Sequence, residues 1–197
     1  MRSQQVYEIL RRASEISGWS DFVVIGSQAI HGTIEDPAIE VVLRSDDVDV
    51  YPRGGWPESN AMYEELMLQL GQDSDFHLQT DNYIEAVSAT LARFPNGWEG
   101  RAIQKCVGTF TKNGEVHRVN AIFPEIHDLT VAKLVVPVHR DKDVEFMESV
   151  VKLGLVDRDI LMARLERAPR TTVERIREAV AHVEKAFEKT PPRRDPT

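Results

Sequence analysis

The chain has 197 residues, of which 42% are hydrophobic and 28% charged, and its net charge is −8. This composition excludes a collagenous, low-complexity or wholly disordered chain, and the length fits one domain or a domain with a helical appendage. Residues 1–150 hold 13 basic and 24 acidic residues, whereas residues 151–197 hold 11 and 8. The acidic body excludes a histone-like nucleic-acid coat, while the basic C-terminal part suits an anionic partner.

Cysteine content and hydropathy predict the cellular compartment. Cys106 is the only cysteine, so an internal disulfide is excluded. The N-terminal residues are polar, unlike a signal peptide, and the longest apolar runs are too short to cross a bilayer. We therefore expect a cytoplasmic protein with no membrane partner.

The first half of the chain predicts alternating helices and strands. Apolar residues repeat at helical spacing in the first segment and again around Leu66. Between them, residues 22–25 form an apolar run typical of a buried strand, and Gly26-Ser27 follow it where a helix could start. Residues 39–43 are either extended or the end of a helix. Residues 47–51 alternate charge with apolar bulk, which predicts a second strand.

The second half predicts strands followed by helices. We expect strands at 87–91 and 107–111, and Asn113-Gly114 predicts a hairpin between the latter strand and residues 115–122. From Asp128, a predicted N-cap, the pattern becomes helical as far as Phe187. The fold class is therefore α+β, a mixed β-sheet flanked by helices with a helical C-terminal lobe. The predicted boundaries are 1–127 for the core, 128–189 for the lobe and 190–197 for a flexible tail.

Asp47 and Asp49 are the strongest candidates for a functional site. In a strand, residues two apart point to the same side, so both carboxylates converge while Val48 and Val50 enter the core. Two close carboxylates stay ionised only beside a cation or several donors, and Mg²⁺ prefers such oxygen ligands. The alternative interpretation is a solvated acidic edge strand.

Gly26 and Ser27 form a second candidate element. A strand leads directly into them, and free N–H groups at a helix start, together with the serine hydroxyl, can bind phosphate. Their spacing does not match a Walker loop or a nucleophile elbow. The alternative is an ordinary strand-to-helix turn.

Together these motifs resemble the DNA polymerase β-like nucleotidyltransferase superfamily. The residues concerned are the apolar strand, Gly26-Ser27 and the segment Ser45-Asp46-Asp47-Val48-Asp49. Leu129–Leu134 and Arg140–Asp143 are similar to later motifs of AbiEii/MenT-type nucleotidyltransferases, the toxins of bacterial toxin–antitoxin systems. Segments between Asp75 and Arg101 resemble a related bacterial family of small nucleotidyltransferase-like proteins, and the similarity covers about residues 20–165.

The resemblance implies a nucleotidyltransferase-like sheet and a site for a nucleoside triphosphate. Asp47 and Asp49 would be catalytic and would hold two Mg²⁺ ions. Ser27, with the amides around Gly26, would bind the β- and γ-phosphates, and Lys133 would be a catalytic and nucleotide-binding cation. Further nucleotide-binding roles would fall to Arg101 and to Asp143, which would orient Lys133 or Arg140. Each of these charged residues is otherwise explained as an ordinary surface or helix-terminal residue.

The implied reaction is transfer of a nucleoside monophosphate to an RNA acceptor, favoured as tRNA-like, or to a protein. The toxin resemblance adds an antitoxin partner, and arginines between Arg164 and Arg177 would contact RNA phosphates. One departure concerns the third carboxylate common in the superfamily, because the strand 116–120 offers only His117 or Asn120, with Glu115 at its edge. This departure supports one alternative, a catalytically weak nucleotidyltransferase-like module that binds a protein partner. A second alternative is a stand-alone helical interaction protein in which the two aspartates are incidental.

Overall fold

A computed structural model describes residues 1–56, 61–137 and 140–190. The chain divides into two compact units. The first unit contains Met1–Leu91 and Ala102–Pro124, and the second contains Ala92–Arg101 and the chain from Glu125 onward. The protein is an α+β protein with a mixed five-stranded sheet and a helical C-terminal region.

A five-stranded sheet forms the centre of the first unit. Its strands are β1 Asp21–Val24, β2 Asp47–Pro52, β3 Tyr83–Ala86, β4 Ile103–Lys112 and β5 Glu115–Phe123. They lie in the order β3-β2-β1-β5-β4. β1 pairs antiparallel with β2 and parallel with β5, β2 pairs parallel with β3, and β4 and β5 form an antiparallel hairpin. The short apolar β1 is therefore central, and Phe22 and Val24 on it are fully buried.

The helices of the first unit cover this sheet. They are α1 Ser3–Ser17, α2 Glu40–Leu43, α3 Ala61–Leu70 and α4 Asp75–Thr80, with a 3₁₀ helix at Gln28–Gly32. α1 packs on β4 and β5 and also contacts α3. Its apolar residues Val6, Ile9 and Leu10 are buried, as their helical spacing predicts. Gly18 ends α1 in the left-handed conformation, with φ of 76°.

Four helices and a short 3₁₀ segment build the second unit. The helices are α5 Ile126–Leu134, α6 Asp141–Lys152, α7 Arg158–Leu165 and α8 Val173–Lys189, and the 3₁₀ segment is Trp98–Arg101. α5 packs against α6 and α7, and α8 packs against α6 and α7. Phe146, Met147, Leu161 and Val183 are completely buried between them. In the part of the chain that the structure describes, no helix has the length and apolar character needed to cross a membrane.

Two local predictions were wrong. The strand expected at 87–91 lies earlier, at Tyr83–Ala86, where Ile84 and Ala86 are buried. The N-cap of α5 is Glu125, whose side chain accepts a hydrogen bond from the His127 amide, and Asp128 is a fully buried residue of the first turn. A helix does begin after Ser27, as predicted, and it is the short 3₁₀ helix Gln28–Gly32. Except for Thr190, the predicted tail 190–197 lies outside the described residues.

Candidate active site

Strand β2 presents two carboxylates on one side of the sheet. Val48 and Val50 are fully buried, while Asp47 and Asp49 alternate with them and are half-buried. The alternation that the sequence predicts is therefore present. The Ser45 hydroxyl donates a hydrogen bond of 2.6 Å to Asp47 Oδ1, which fixes one of the two carboxylates.

A third carboxylate comes from the neighbouring strand. In the parallel pair of β2 and β3, Asp49 lies opposite Glu85 and Asp47 lies opposite Tyr83. Because Ile84 and Ala86 face the core, Glu85 lies on the same side as the two aspartates. Carboxylate oxygens of Asp47, Asp49 and Glu85 lie within 4.8 Å of one another.

Glu85 corrects the expectation about the third carboxylate. The strand at 116–120 belongs to β5, which pairs with β1 and β4, whereas β2 pairs with β1 and β3. Asn120 donates a hydrogen bond of 2.8 Å to Asp21 Oδ1, so its amide is part of the β1–β5 pairing. The only sequence signal for Glu85 is the alternation of polar and apolar residues at 83–86, which is too short to establish a strand.

The chemistry of this cluster suits a hard divalent cation. Three carboxylates so close together repel one another, and a bound cation relieves that repulsion. Mg²⁺ takes oxygen ligands and is commonly bound by carboxylates together with substrate phosphates. The negative charge of the cluster also affects Tyr83. Burial and the charges of Asp47 and Glu85 raise the pKa of its phenol.

The bend after β1 lies directly against the cluster. The amide of Ile25 donates a hydrogen bond of 2.9 Å to the carbonyl of Asp49. The next residue, Gly26, has φ of 67°, and a Cβ at this position would collide with the carboxylate of Asp49. Glycine is therefore required for two reasons, the left-handed backbone and the close approach of Asp49. Ser27 follows at the start of the 3₁₀ helix.

A buried polar network supports the chain that leads into β2. The Gln28 amide donates hydrogen bonds to the carbonyls of Val42, at 3.0 Å, and Ser45, at 3.1 Å. Gln28 Oε1 lies 3.1 Å from His31 Nε2, and His31 Nδ1 lies 3.0 Å from the Ser3 hydroxyl. Burial lowers the pKa of His31, which favours the neutral ring that such a network needs. The network thus links the Gly26 bend to the residue that holds Asp47.

The second unit brings together Lys133 and Asp143. Lys133 Nζ on α5 donates to Asp143 Oδ1 at 3.2 Å and lies 4.9 Å from the centre of the Phe146 ring. Arg140 donates to the other oxygen of Asp143 at 2.6 Å. Both members of the Lys133–Asp143 pair are buried, with side-chain exposures of 6% and 2%. Asp143 therefore pairs with both of the cations that the sequence analysis associates with it.

Arg101 also belongs to the second unit. Its guanidinium binds both carboxylate oxygens of Asp128, at 2.8 and 2.9 Å, and donates to the Asn96 carbonyl. Asp128 is fully buried and forms a second ion pair, of 3.1 Å, with Arg164. The residues predicted for the site are thus distributed between the two units. The first unit contains Gly26, Ser27, Asp47 and Asp49. The second unit contains the ion pair of Lys133 with Asp143 and a separate ion pair formed by Arg101.

A mixed sheet that collects three carboxylates beside a glycine bend defines a nucleotidyltransferase-like α+β protein. A family model described as "Nucleotidyltransferase of unknown function (DUF6036)" matches residues 4–190, and the chain belongs to this family. No curated protein and no solved structure gives a significant match.

Proposed function

We propose that the protein is a Mg²⁺-dependent nucleotidyltransferase that transfers a nucleoside monophosphate from a nucleoside triphosphate to an acceptor hydroxyl. The observation that carries this proposal is the convergence of Asp47, Asp49 and Glu85 beside the Gly26 bend. Membership of a nucleotidyltransferase family supports the same reaction class.

The three carboxylates have complementary roles in this proposal. Asp47, Asp49 and Glu85 would hold the metal ions, and bound metal would supply charge neutralisation at the phosphates and a lower pKa for the attacking hydroxyl. The acceptor oxygen forms a bond to the α-phosphorus while the bond to the bridging oxygen of the β-phosphate breaks, and pyrophosphate leaves. Glu85 is the most exposed of the three carboxylates, so it is placed to accept the proton of the hydroxyl.

Other residues bind the triphosphate in this scheme. The backbone around Gly26 and the Ser27 hydroxyl bind the β- and γ-phosphates, as the closeness of this bend to Asp49 supports. Lys133 supplies a cation to the phosphates, with Asp143 orienting its ammonium group. Arg101 is a further nucleotide-binding residue, and its fork on Asp128 holds the guanidinium in one orientation.

The acceptor we propose is RNA of a tRNA-like kind, with a protein as the second candidate. The similarity of Leu129–Leu134 and Arg140–Asp143 to AbiEii/MenT-type motifs supports a toxin role with an antitoxin partner. We also propose a cytoplasmic location, because nucleoside triphosphates and RNA acceptors occur together there. The alternative, a nucleotidyltransferase-like module that binds without transfer, was favoured by a missing third carboxylate, and Glu85 removes that support.

Label transfer tests the proposal directly. The protein is incubated with each α-labelled nucleoside triphosphate, Mg²⁺ or Mn²⁺, and total RNA or protein, and the label is followed into the acceptor. We expect transfer by the wild type and its loss in Asp49→Asn. Asp46→Asn is the matched control, since it changes an exposed carboxylate three residues earlier that is not part of the cluster. Transfer that persists in Asp49→Asn, or binding of nucleotide with no transfer to any acceptor, contradicts the proposal.

A further inference from the structure

The second unit contains a cavity of about 440 Å³ lined by three arginines, Arg101, Arg164 and Arg167. Ile160 and Ala163 of α7 contribute apolar surface to the same lining. Its volume lies within the range of about 300–1,000 Å³ that is typical of small-ligand sites. This open cavity therefore presents cationic and apolar surface to the same ligand.

Two of these arginines are held in place by buried carboxylates. Arg101 binds Asp128 through Nε and Nη2, at 2.8 and 2.9 Å. Arg164 uses Nη1 for both of its ion pairs, with Glu125 and with Asp128. Because Asp128 is completely buried, its carboxylate is stabilised by both guanidinium groups, and moving either of them away from it is costly. These two arginines of the lining are therefore held in place before any ligand binds.

Donor groups remain available in this lining. The ion pairs with Asp128 and Glu125 leave Arg101 Nη1 and Arg164 Nε and Nη2 without a hydrogen bond to any described residue. Arg167 is exposed, and its guanidinium makes no hydrogen bond or ion pair within the described ranges 1–56, 61–137 and 140–190. A planar guanidinium offers both N–H donors at its edge and a flat face for stacking.

The charge of the lining favours an anion. Its one acidic residue is Asp159, whose carboxylate lies 3.2 Å from Arg158 and is balanced by that arginine. Asp128 and Glu125 balance Arg101 and Arg164, which leaves Arg167 as the cation that has no partner among the residues described.

We infer that this cavity binds a nucleotide, with its phosphate on Arg167 and Arg164 and its base on Ile160 and Ala163. A nucleotide carries an anionic phosphate and a flat ring, which match the cationic and the apolar parts of this lining. Stacking of the ring on an arginine face strengthens the binding further. A phosphopeptide shares only the anionic group. This inference rests on the proposed function, because the cavity includes Arg101, which is proposed above to bind the nucleotide, and two of the arginines expected to contact RNA. Its test needs neither metal nor nucleoside triphosphate, so its failure is distinguishable from a failure of transfer.

Binding of a labelled RNA oligonucleotide tests this inference. The probe is a fluorescein-labelled single-stranded hexanucleotide, titrated with the full chain in EDTA and without nucleoside triphosphate, so that nucleotidyl transfer plays no part. We expect Arg167→Gln to weaken binding about tenfold or more, the loss typical of one charge-assisted hydrogen bond. Ile160→Glu, which adds a carboxylate at a 42% exposed position, should weaken it similarly. Arg118→Gln is the matched control, because this exposed arginine lies on β5 in the first unit and is not in the lining.

The outcomes separate the sources of the nucleotide. Competition by adenosine monophosphate at the same site supports binding of a free nucleotide, and competition by unlabelled RNA alone supports binding of a strand. The inference is overturned when Arg167→Gln and Arg118→Gln weaken binding equally. It is also overturned when only inorganic phosphate or a phosphopeptide binds to the cavity. Either failure leaves the label-transfer result for Asp49→Asn unaffected.

Discussion

At the scale of single residues, Gly26 controls both the backbone after β1 and the position of Asp49. We expect Gly26→Ala to lower the free energy of unfolding by about 2 kcal/mol, because the left-handed φ of 67° is strained for alanine and the Cβ collides with the Asp49 carboxylate. Gly114→Ala is the control, since Gly114 has φ of 83° and a Cβ there meets no described atom within 4 Å. It should cost only about 1 kcal/mol of strain. Urea unfolding measures the free energy of unfolding of the two variants. Equal losses in the two would contradict a collision between the Cβ and the Asp49 carboxylate.

Glu85 belongs to the proposed metal site, and the sequence did not reveal it. We expect Glu85→Gln to weaken Mn²⁺ binding about tenfold or more and to abolish label transfer, because an amide is a poor ligand for a hard cation and no base. The fold should be retained, since Glu85 is exposed. Glu115→Gln, at the exposed start of β5, is the matched control and should behave as the wild type. Calorimetric titration with Mn²⁺ checks this, and equal affinities in the two variants would remove Glu85 from the site.

At the scale of secondary structure, strong periodicity made most elements predictable. The helix at Ser3–Ser17, the strand carrying Asp47 and Asp49, and the hairpin at Asn113-Gly114 are all confirmed. β3 was misplaced because it has only four residues, too few to establish a period of two. The order of strands depends on pairing between distant residues, which no local pattern records, so the third carboxylate was sought on β5 instead of β3.

Replacing either member of the buried Lys133–Asp143 pair, which joins α5 to α6, should lower the stability of the protein by different amounts. Asp143→Asn leaves the Lys133 ammonium buried without its carboxylate, so we expect a loss of about 3 kcal/mol or more in the free energy of unfolding. Lys133→Met should cost less, because Arg140 continues to pair with Asp143 and methionine retains apolar packing on Phe146. Thermal or urea unfolding of the two variants gives the comparison. A larger loss for Lys133→Met would contradict the role of Arg140.

At the scale of the whole molecule, stability in acid depends on Glu125. Burial alone would raise the pKa of this carboxyl, but hydrogen bonds from His127 and Arg164 outweigh it and lower the pKa from 4.5 to about 2. The resulting stabilisation is complete above pH 4.5 and is lost as the pH falls from 4.5 to 2. Between pH 6 and pH 3 we therefore expect the wild type to lose about 2 kcal/mol more than Glu125→Gln.

Urea unfolding at the two pH values measures this difference. Glu166→Gln is the control, since it removes an exposed carboxylate at the end of α7. It should lose as much stability as the wild type. A Glu125→Gln variant with the same loss as the wild type would show that the hydrogen bonds of this carboxylate do not act through its ionisation.

The two units are interleaved along the chain, because Ala92–Arg101 belongs with the helices although it lies between β3 and β4. Neither unit is therefore encoded by one uninterrupted stretch of the gene. A recombinant fragment that starts at Glu125 would lack Arg101, leaving Asp128 inside the protein with only Arg164 to balance it. Dissection of this protein into separately expressed halves should thus yield a poorly folded C-terminal piece, and supplying 92–101 through an artificial linker should restore it.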